Sequence, residues 1–136
     1  MALTKDLCQR IKVPKDARNL ALLVARFHGT VHHATELKAT TIADMLQAVD
    51  AYRKPERFKE FLQACACDFH GRPGFAEKPY YPSEHLKKAL TAAKSVDAGA
   101  IATQLSIKGS GSIPLPVAIN SKVREARIAK IKTQLA

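Results

Sequence analysis

The sequence lacks tryptophan, and other aromatic residues are scarce: five Phe and three Tyr among 136 residues. It also lacks runs in which β-branched and polar residues alternate, the pattern of half-buried strands. Apolar residues make up 46% of the chain, and many are alanine, which costs least in a helix and lets helices approach closely. These features argue against a sheet and predict an all-α fold.

Long apolar segments are missing as well. No run approaches the roughly 20 apolar residues that a membrane-spanning helix needs. Residues 1–12 carry charges throughout and contain no apolar core of a signal peptide. We therefore expect a cytoplasmic protein with no membrane partner.

Cysteines are few and odd in number. Cys8, Cys65 and Cys67 cannot form an even disulfide framework. Asp68 and His70 follow Cys67, which suggests a metal site. On a helix, however, residues two apart point about 200° apart around the axis, so both thiols cannot reach one ion. We expect ordinary reduced thiols near a packed helix end.

Positive charge is what the sequence has in excess. Twenty-two Lys and Arg against 12 Asp and Glu give a formal charge of +10, which attracts polyanions. The basic residues are grouped rather than scattered. The groups are Arg53, Lys54 and Arg57 at one helix junction, Arg72 in a glycine-rich turn, and Lys122, Arg124, Arg127, Lys130 and Lys132 near the C-terminus.

Arg72 is the best single candidate for a phosphate contact. Its guanidinium offers a planar fork to phosphate, and Gly71 and Gly74 let a nucleic-acid backbone come close. Tyr80 and Tyr81 follow in a proline-flanked loop. They could stack on bases, although loop tyrosines often pack locally instead.

Helical periodicity and punctuation predict about seven short to medium helices joined by short links. Thr4, Thr41, Ser83 and Asp97 are the predicted caps. Proline favours the first turn, so Pro14, Pro55 and Pro116 mark further starts. The segment Lys108 to Pro114 breaks the pattern. It is not a Walker loop, because its lysine precedes the glycines and no strand precedes it, but Lys108 could still touch a phosphate.

His28 and His32 are four residues apart on one helical face, a spacing that can present two imidazoles to a metal ion. Only Glu36 lies close enough in sequence to add a carboxylate. Histidines at a half-buried helix end explain the same pattern without a metal.

The order of these features resembles bacterial multifunctional CCA proteins, the CCA-adding tRNA nucleotidyltransferases that carry an HD domain. Residues 7–14 and 20–28 resemble the later half of the HD-type region. Asp50 to Arg57 resembles the next helix junction, and Asp68 to Phe75 resembles an Asp-x-x-Gly-Arg turn. Lys108-Gly109 followed by Arg124 to Ile128 resembles the approach to the last helix. These segments follow in the same order over nearly the whole chain. The chain therefore resembles a C-terminal fragment of such a protein.

The resemblance implies a function in tRNA 3′-end CCA addition and repair. It divides the chain into residues 1–38, the end of the HD-type domain, and residues 39–136, a helical body and tail that binds tRNA. The implied tRNA contacts are Arg53, Lys54, Arg57, Arg72, Lys108, Arg124 and Arg127. The implied partners are tRNA and a missing N-terminal nucleotidyltransferase head, with no DNA.

The chemistry implied by the family needs residues that this chain lacks. The head's metal-binding carboxylates and nucleotide loop, which use Mg²⁺ with CTP and ATP, have no counterpart here. His28 matches a late histidine of the HD pocket, which holds a divalent metal, but the adjacent His-Asp pair is absent. We expect no cofactor in the fragment and metal at His28 only with the rest of that pocket.

Three hypotheses remain open at this point. The first is a tRNA-binding, non-catalytic part of a CCA-adding enzyme. The second is a stand-alone remnant of an HD-type phosphohydrolase that acts on 2′-phosphates or 2′,3′-cyclic phosphates. The third is a helical protein-interaction module whose positive surface is incidental.

Overall fold

A computed structural model describes residues 1–136. The chain forms seven α-helices: α1 (Ala2–Arg10), α2 (Lys15–His32), α3 (Ala39–Ala48), α4 (Pro55–His70), α5 (Pro82–Lys94), α6 (Ala98–Lys108) and α7 (Leu115–Leu135). A single 3₁₀ turn at Ala34–Glu36 lies between α2 and α3, and there is no strand. The prediction of an all-α fold with about seven helices is confirmed.

One apolar core holds most of these helices together. Its fully buried side chains include Ile42 and Leu46 of α3, Phe58 and Phe61 of α4, and Leu86 of α5. Each recurs at a three- or four-residue spacing within its helix, so that helix turns one apolar stripe inward. Every fully buried aliphatic or aromatic side chain of this size contributes roughly 1.5–3 kcal/mol through the hydrophobic effect.

The outer helices are laid against this core in a definite order. α2 packs along α4, and α7 packs against α5, α6 and α3. α7 contributes Ile131, which is completely buried in the main core, and Val123, which is also buried. α1 packs against α2 and buries a single side chain, Cys8. α3, α4 and α5 therefore contribute most of the buried side chains, and α1 contributes only one.

The helix starts show where local sequence signals succeed and fail. Asp97 caps α6 as predicted, because its Oδ1 accepts a hydrogen bond from the Ala100 amide at 2.9 Å. The other three predicted caps are wrong. α1, α3 and α5 begin at or before Thr4, Thr41 and Ser83, and the residues that precede these helices make no side-chain cap.

The apolar spacing that continues to Val49 and Tyr52 predicts that α3 runs to about Arg53, but the helix ends at Ala48. Asp50 has φ 57°, in the left-handed region, and turns the chain out of the helix. Asp tolerates this conformation better than most non-glycine residues. The resulting turn places Arg53 and Lys54 between two helices rather than on one.

The cysteines lie as the helical spacing predicts. Cys65 is fully buried in α4 and Cys67, two residues later, is exposed. Burial raises the pKa of the Cys65 thiol to about 12, so it stays protonated and unreactive. All three cysteines are free.

No helix of the chain is both long enough and apolar enough to cross a membrane. Val31 and Ala34, which precede residue 39, share one core with side chains of α3 to α5. The division into residues 1–38 and 39–136 thus stays a prediction drawn from the resemblance.

Candidate nucleic-acid interface

The turn between α3 and α4 presents two exposed cations. Arg53 and Lys54 are exposed, and the Arg53 guanidinium lies 3.8 Å from the Asp50 carboxylate. Arg57 faces inward instead: its Nη2 donates to the carbonyl of Val49 at 2.9 Å. That carbonyl lies just past the end of α3, where backbone acceptors lack helical partners. Arg57 therefore fixes the turn, and Arg53 and Lys54 point to solvent.

A third exposed cation, Arg72, lies beyond the other end of α4. Arg72 follows Gly71, at which an added Cβ would lie 3.1 Å from the carbonyl oxygen of Cys67. Gly74, with φ +80°, lets the chain reverse two residues later. The Arg72 guanidinium lies 3.6 Å from Asp68 Oδ2, and its side chain is more than half exposed. The Gly-Arg turn thus holds the Arg72 guanidinium at the surface, where one side faces Asp68 and the rest is open to solvent.

Asp68 is the centre of a small hydrogen-bonded network. His32 Nε2 donates to Asp68 Oδ2 at 2.8 Å, and His32 Nδ1 lies 2.7 Å from the hydroxyl of Tyr80. In the tautomer with the proton on Nε2, Nδ1 accepts from the tyrosine O–H. The hydrogen bond from His32 is the main reason that the pKa of Asp68 is lowered, with Arg72 contributing. The network ties α2, α4 and the 71–81 loop together.

The two loop tyrosines have different roles. The Tyr80 ring packs on Phe69, with ring centroids 4.9 Å apart, and burial raises the pKa of its hydroxyl. Tyr81 is 67% exposed. Only Tyr81 is free to stack on a base without disturbing the fold.

Two predicted contacts on α7 are engaged within the protein. Arg124 donates from Nε and Nη2 to the two carboxylate oxygens of Asp44, at 2.8 and 2.9 Å. The guanidinium of Arg127 lies 3.9 Å from the ring centroid of Tyr52, and its Nη1 donates to Gln47 Oε1 at 3.3 Å. Both arginines hold α7 against α3 and the turn that follows it. Arg124 is exposed on its outer side, whereas Arg127 is half-buried.

Lys108 is the last residue of α6 and is exposed. Gly109 and Gly111 follow it with φ of +80° and +65°, so the link to α7 uses conformations that glycine adopts at no steric cost. A groove of about 550 Å³ lies between α6 and α7, with Lys108 and Lys122 on its walls. The loop has none of the strand-to-helix geometry of a nucleotide-binding loop.

The histidines of α2 are engaged by other groups of the protein. His28 Nδ1 lies 2.8 Å from the carbonyl of Val24, which leaves only Nε2 free. Both nitrogens of His32 are engaged by Asp68 and Tyr80. No group of three or more His, Cys, Asp or Glu side chains is placed to hold a metal ion. A divalent metal with an activated water needs more ligands than this, so the residues present do not fit such a group.

The groups of basic residues identified from the sequence leave out one cationic region, at the N-terminal end of the chain. Six Lys and Arg occur within residues 1–26 against two aspartates, and five of them are clustered between residues 5 and 18. Their density in this short segment is the sequence feature that could have identified the region. These cations are Lys5, Arg10, Lys12, Lys15, Arg18 and Arg26, all exposed.

Fold and surface together define an all-helical module with a formal charge of +10. The chain is 63% identical over 134 residues to the multifunctional CCA protein of Nitrosomonas eutropha, and 61% over 133 residues to that of Nitrosospira multiformis. The protein of the same name from Nitrosomonas europaea is 60% identical over 134 residues.

These matches cover 98% of the chain but only 32% of each relative. The chain therefore spans about a third of the length of the curated relatives that it matches, and it is a homologue of the C-terminal part of multifunctional CCA proteins. The resemblance predicted from the sequence is confirmed. No protein-family model matches the chain, and no solved structure does.

Proposed function

We propose that this chain is the tRNA-holding, non-catalytic C-terminal part of a CCA-adding tRNA nucleotidyltransferase. Its partner is a nucleotidyltransferase head that performs the chemistry with Mg²⁺, CTP and ATP. The observation that carries the proposal is the 60–63% identity to multifunctional CCA proteins over nearly the whole chain. The placement of the free cations supports it.

The free cations are spread along the scaffold rather than gathered in one pocket. Arg53 and Lys54 precede α4 and Arg72 follows it, and a helix of 16 residues is about 24 Å long. One small anion cannot contact both ends. A polyanion with many phosphates can, and RNA duplexes are held largely through backbone and shape. The spacing therefore favours an RNA arm over a free nucleotide.

The seven proposed tRNA contacts divide by their surroundings. Arg53, Lys54, Arg72 and Lys108 are the direct phosphate ligands, because each is exposed and no more than loosely paired. Arg57, Arg124 and Arg127 position the turn and α7 through the contacts described above. Arg124 can offer a phosphate only its exposed edge as long as its charge is shared with Asp44.

The test is binding of whole tRNA by the 136-residue chain at several salt concentrations. About five neutralised phosphates give a slope near −4 in a plot of log affinity against log salt. Salt-independent binding, or none at low salt, would contradict the proposal. A protein-interaction module would instead bind a partner protein equally well at high salt.

A further inference from the structure

An apolar stripe on α1 lies open to solvent. Leu3 and Leu7 of α1 and Ile11, the residue directly after it, follow at four-residue spacing and are 86%, 50% and 63% exposed. Residues four apart on a helix lie one above the other, so the three side chains form one strip. They flank the side of α1 on which Cys8 is buried. Scattered exposed leucines are ordinary, but an aligned strip marks a contact surface.

A shallow groove of about 480 Å³ lies between α1, α2 and α4, and Thr4, the residue after Leu3, is its contribution from α1. Small and aliphatic side chains make up most of its walls, and Thr4, His28 and Asp68 complete the lining. Alanines on facing turns let another backbone approach closely. The apolar residues of the groove are Ala17, Leu20, Ala21, Val24, Ala25 and Ala64.

The charges in this region are strongly unbalanced. Residues 1–26 contain six Lys and Arg against Asp6 and Asp16. Two copies of the chain would bring like charges together across this surface, which disfavours self-association. The same charges favour a partner with an apolar helical ridge and acidic residues beside it.

The relatives extend well beyond the region that matches this chain. Each is about three times as long as this chain, which covers 32% of their length. We propose that the α1 strip, Leu3, Leu7 and Ile11, together with the alanine-lined groove, docks the part of a multifunctional CCA protein outside the matched third. The contact is a helix of that part with acidic flanks. This inference rests on the family relationship and not on tRNA binding.

The proposal is tested by thiol labelling at one position inside the strip and one outside it. Leu7→Cys probes the strip, and Ile107→Cys, at an 80% exposed position on α6, is the matched control. Each variant is prepared as the 136-residue chain and as a fusion in which the unmatched part of the Nitrosomonas europaea relative precedes it. Peptide mass spectrometry separates the new thiols from the native ones, and no tRNA is present.

In the fusion, we expect labelling at position 7 to slow about tenfold or more, as for a residue in a buried interface core. Labelling at position 107 should be unchanged. Equal rates at position 7 in the two forms would overturn the proposal. A failure here is distinct from a failure of tRNA binding, which is measured on the chain alone.

Two further measurements on the isolated chain exclude other occupants. Sedimentation should show a monomer, whereas a dimer that protects Leu7→Cys would assign the strip to a second copy. Basic helices with an apolar face can also bind anionic lipid. Vesicles of phosphatidylglycerol should not retain the chain at physiological salt. Retention that Leu3→Gln with Leu7→Gln abolishes would overturn the proposal in favour of a lipid surface.

Discussion

Arg124 and Asp44, 80 residues apart, form a bidentate ion pair that fastens α7 to α3. The hydrogen bond from Arg124 is the main reason that the pKa of Asp44 is lowered, and it raises the pKa of Arg124 in turn. The pair uses charge that would otherwise be available to a phosphate. If the chain binds tRNA as proposed, fold stability and tRNA binding compete for the same guanidinium.

Replacing Asp44 with Asn separates these two roles. The substitution keeps the shape of the side chain but releases the Arg124 charge and removes one negative charge from the surface. We expect a small fall in melting temperature, because exposed ion pairs contribute little, together with tighter tRNA binding. Calorimetry and a binding titration on the same sample check this. Weaker tRNA binding by the stable variant would mean that Arg124 needs Asp44 to reach its ligand.

Acid should weaken the fold through Asp44 and Asp68. Both carboxyls have a lowered pKa in the folded protein, against about 3.9 when unfolded. Their contribution to stability is fully present above about pH 5 and is lost as pH falls through the lowered values. Urea unfolding should show a fall in the free energy of unfolding below about pH 4. Asp44→Asn with Asp68→Asn should show a smaller fall, and an identical pH profile would contradict this assignment.

Arg72→Ala should weaken tRNA binding by roughly 1–3 kcal/mol, the range for charged hydrogen bonds. Its partner Asp68 keeps the stronger hydrogen bond from His32, so the fold should change little. Arg72→Lys keeps the charge but loses the planar fork, and should recover only part of the affinity. Unchanged affinity in Arg72→Ala would remove this residue from the interface.

Tyr80 and Tyr52 provide a matched pair of hydroxyl deletions. The Tyr80 hydroxyl bonds to His32, so Tyr80→Phe should destabilise the protein by about 1 kcal/mol. The Tyr52 hydroxyl is buried with no hydrogen-bond partner. Tyr52→Phe keeps the ring beneath Arg127 and should be neutral or stabilising. Thermal unfolding of both variants decides this, and a larger loss at Tyr52 would reveal a partner for its hydroxyl.

Hydrolysis of a 2′,3′-cyclic nucleotide with added Ni²⁺, Mn²⁺ or Mg²⁺ tests the phosphohydrolase alternative. We expect no turnover by this chain, because His28 has one free nitrogen and His32 has none. Turnover that disappears in His28→Ala would show that the chain completes a metal site in a way the structure does not display. The controls are the reaction without added metal and the variant His33→Ala, at an exposed position.

The sequence predicts the helices well because proline starts and apolar spacing are local signals. Pro55 is the first residue of α4, and Asp97 caps α6, as expected. Thr41 fails as a cap because alanine and threonine ahead of its position already adopt the helical conformation. Asp50 adopts the left-handed conformation that ends α3, but glycine, the usual sequence signal for such a conformation, is absent there.

The interface is harder to predict because sequence shows which residues are charged and not which are free. Arg53 and Arg57 are four residues apart, yet one faces solvent and the other holds the Val49 carbonyl. The partners of Arg124 and His32 lie 80 and 36 residues away along the chain. Such pairs depend on how helices pack, and residue order alone does not contain that information.

We propose that tRNA is held at particular cations and not by net charge. Two triple variants with equal loss of charge test it directly: Arg53→Ala, Lys54→Ala and Arg72→Ala in one, and Lys38→Ala, Lys88→Ala and Lys94→Ala in the other. All six residues are exposed. At physiological salt, the first should lose tRNA binding by about a hundredfold or more and the second by only a few-fold. Equal losses in the two variants would mean that net charge, and not these three cations, determines tRNA binding.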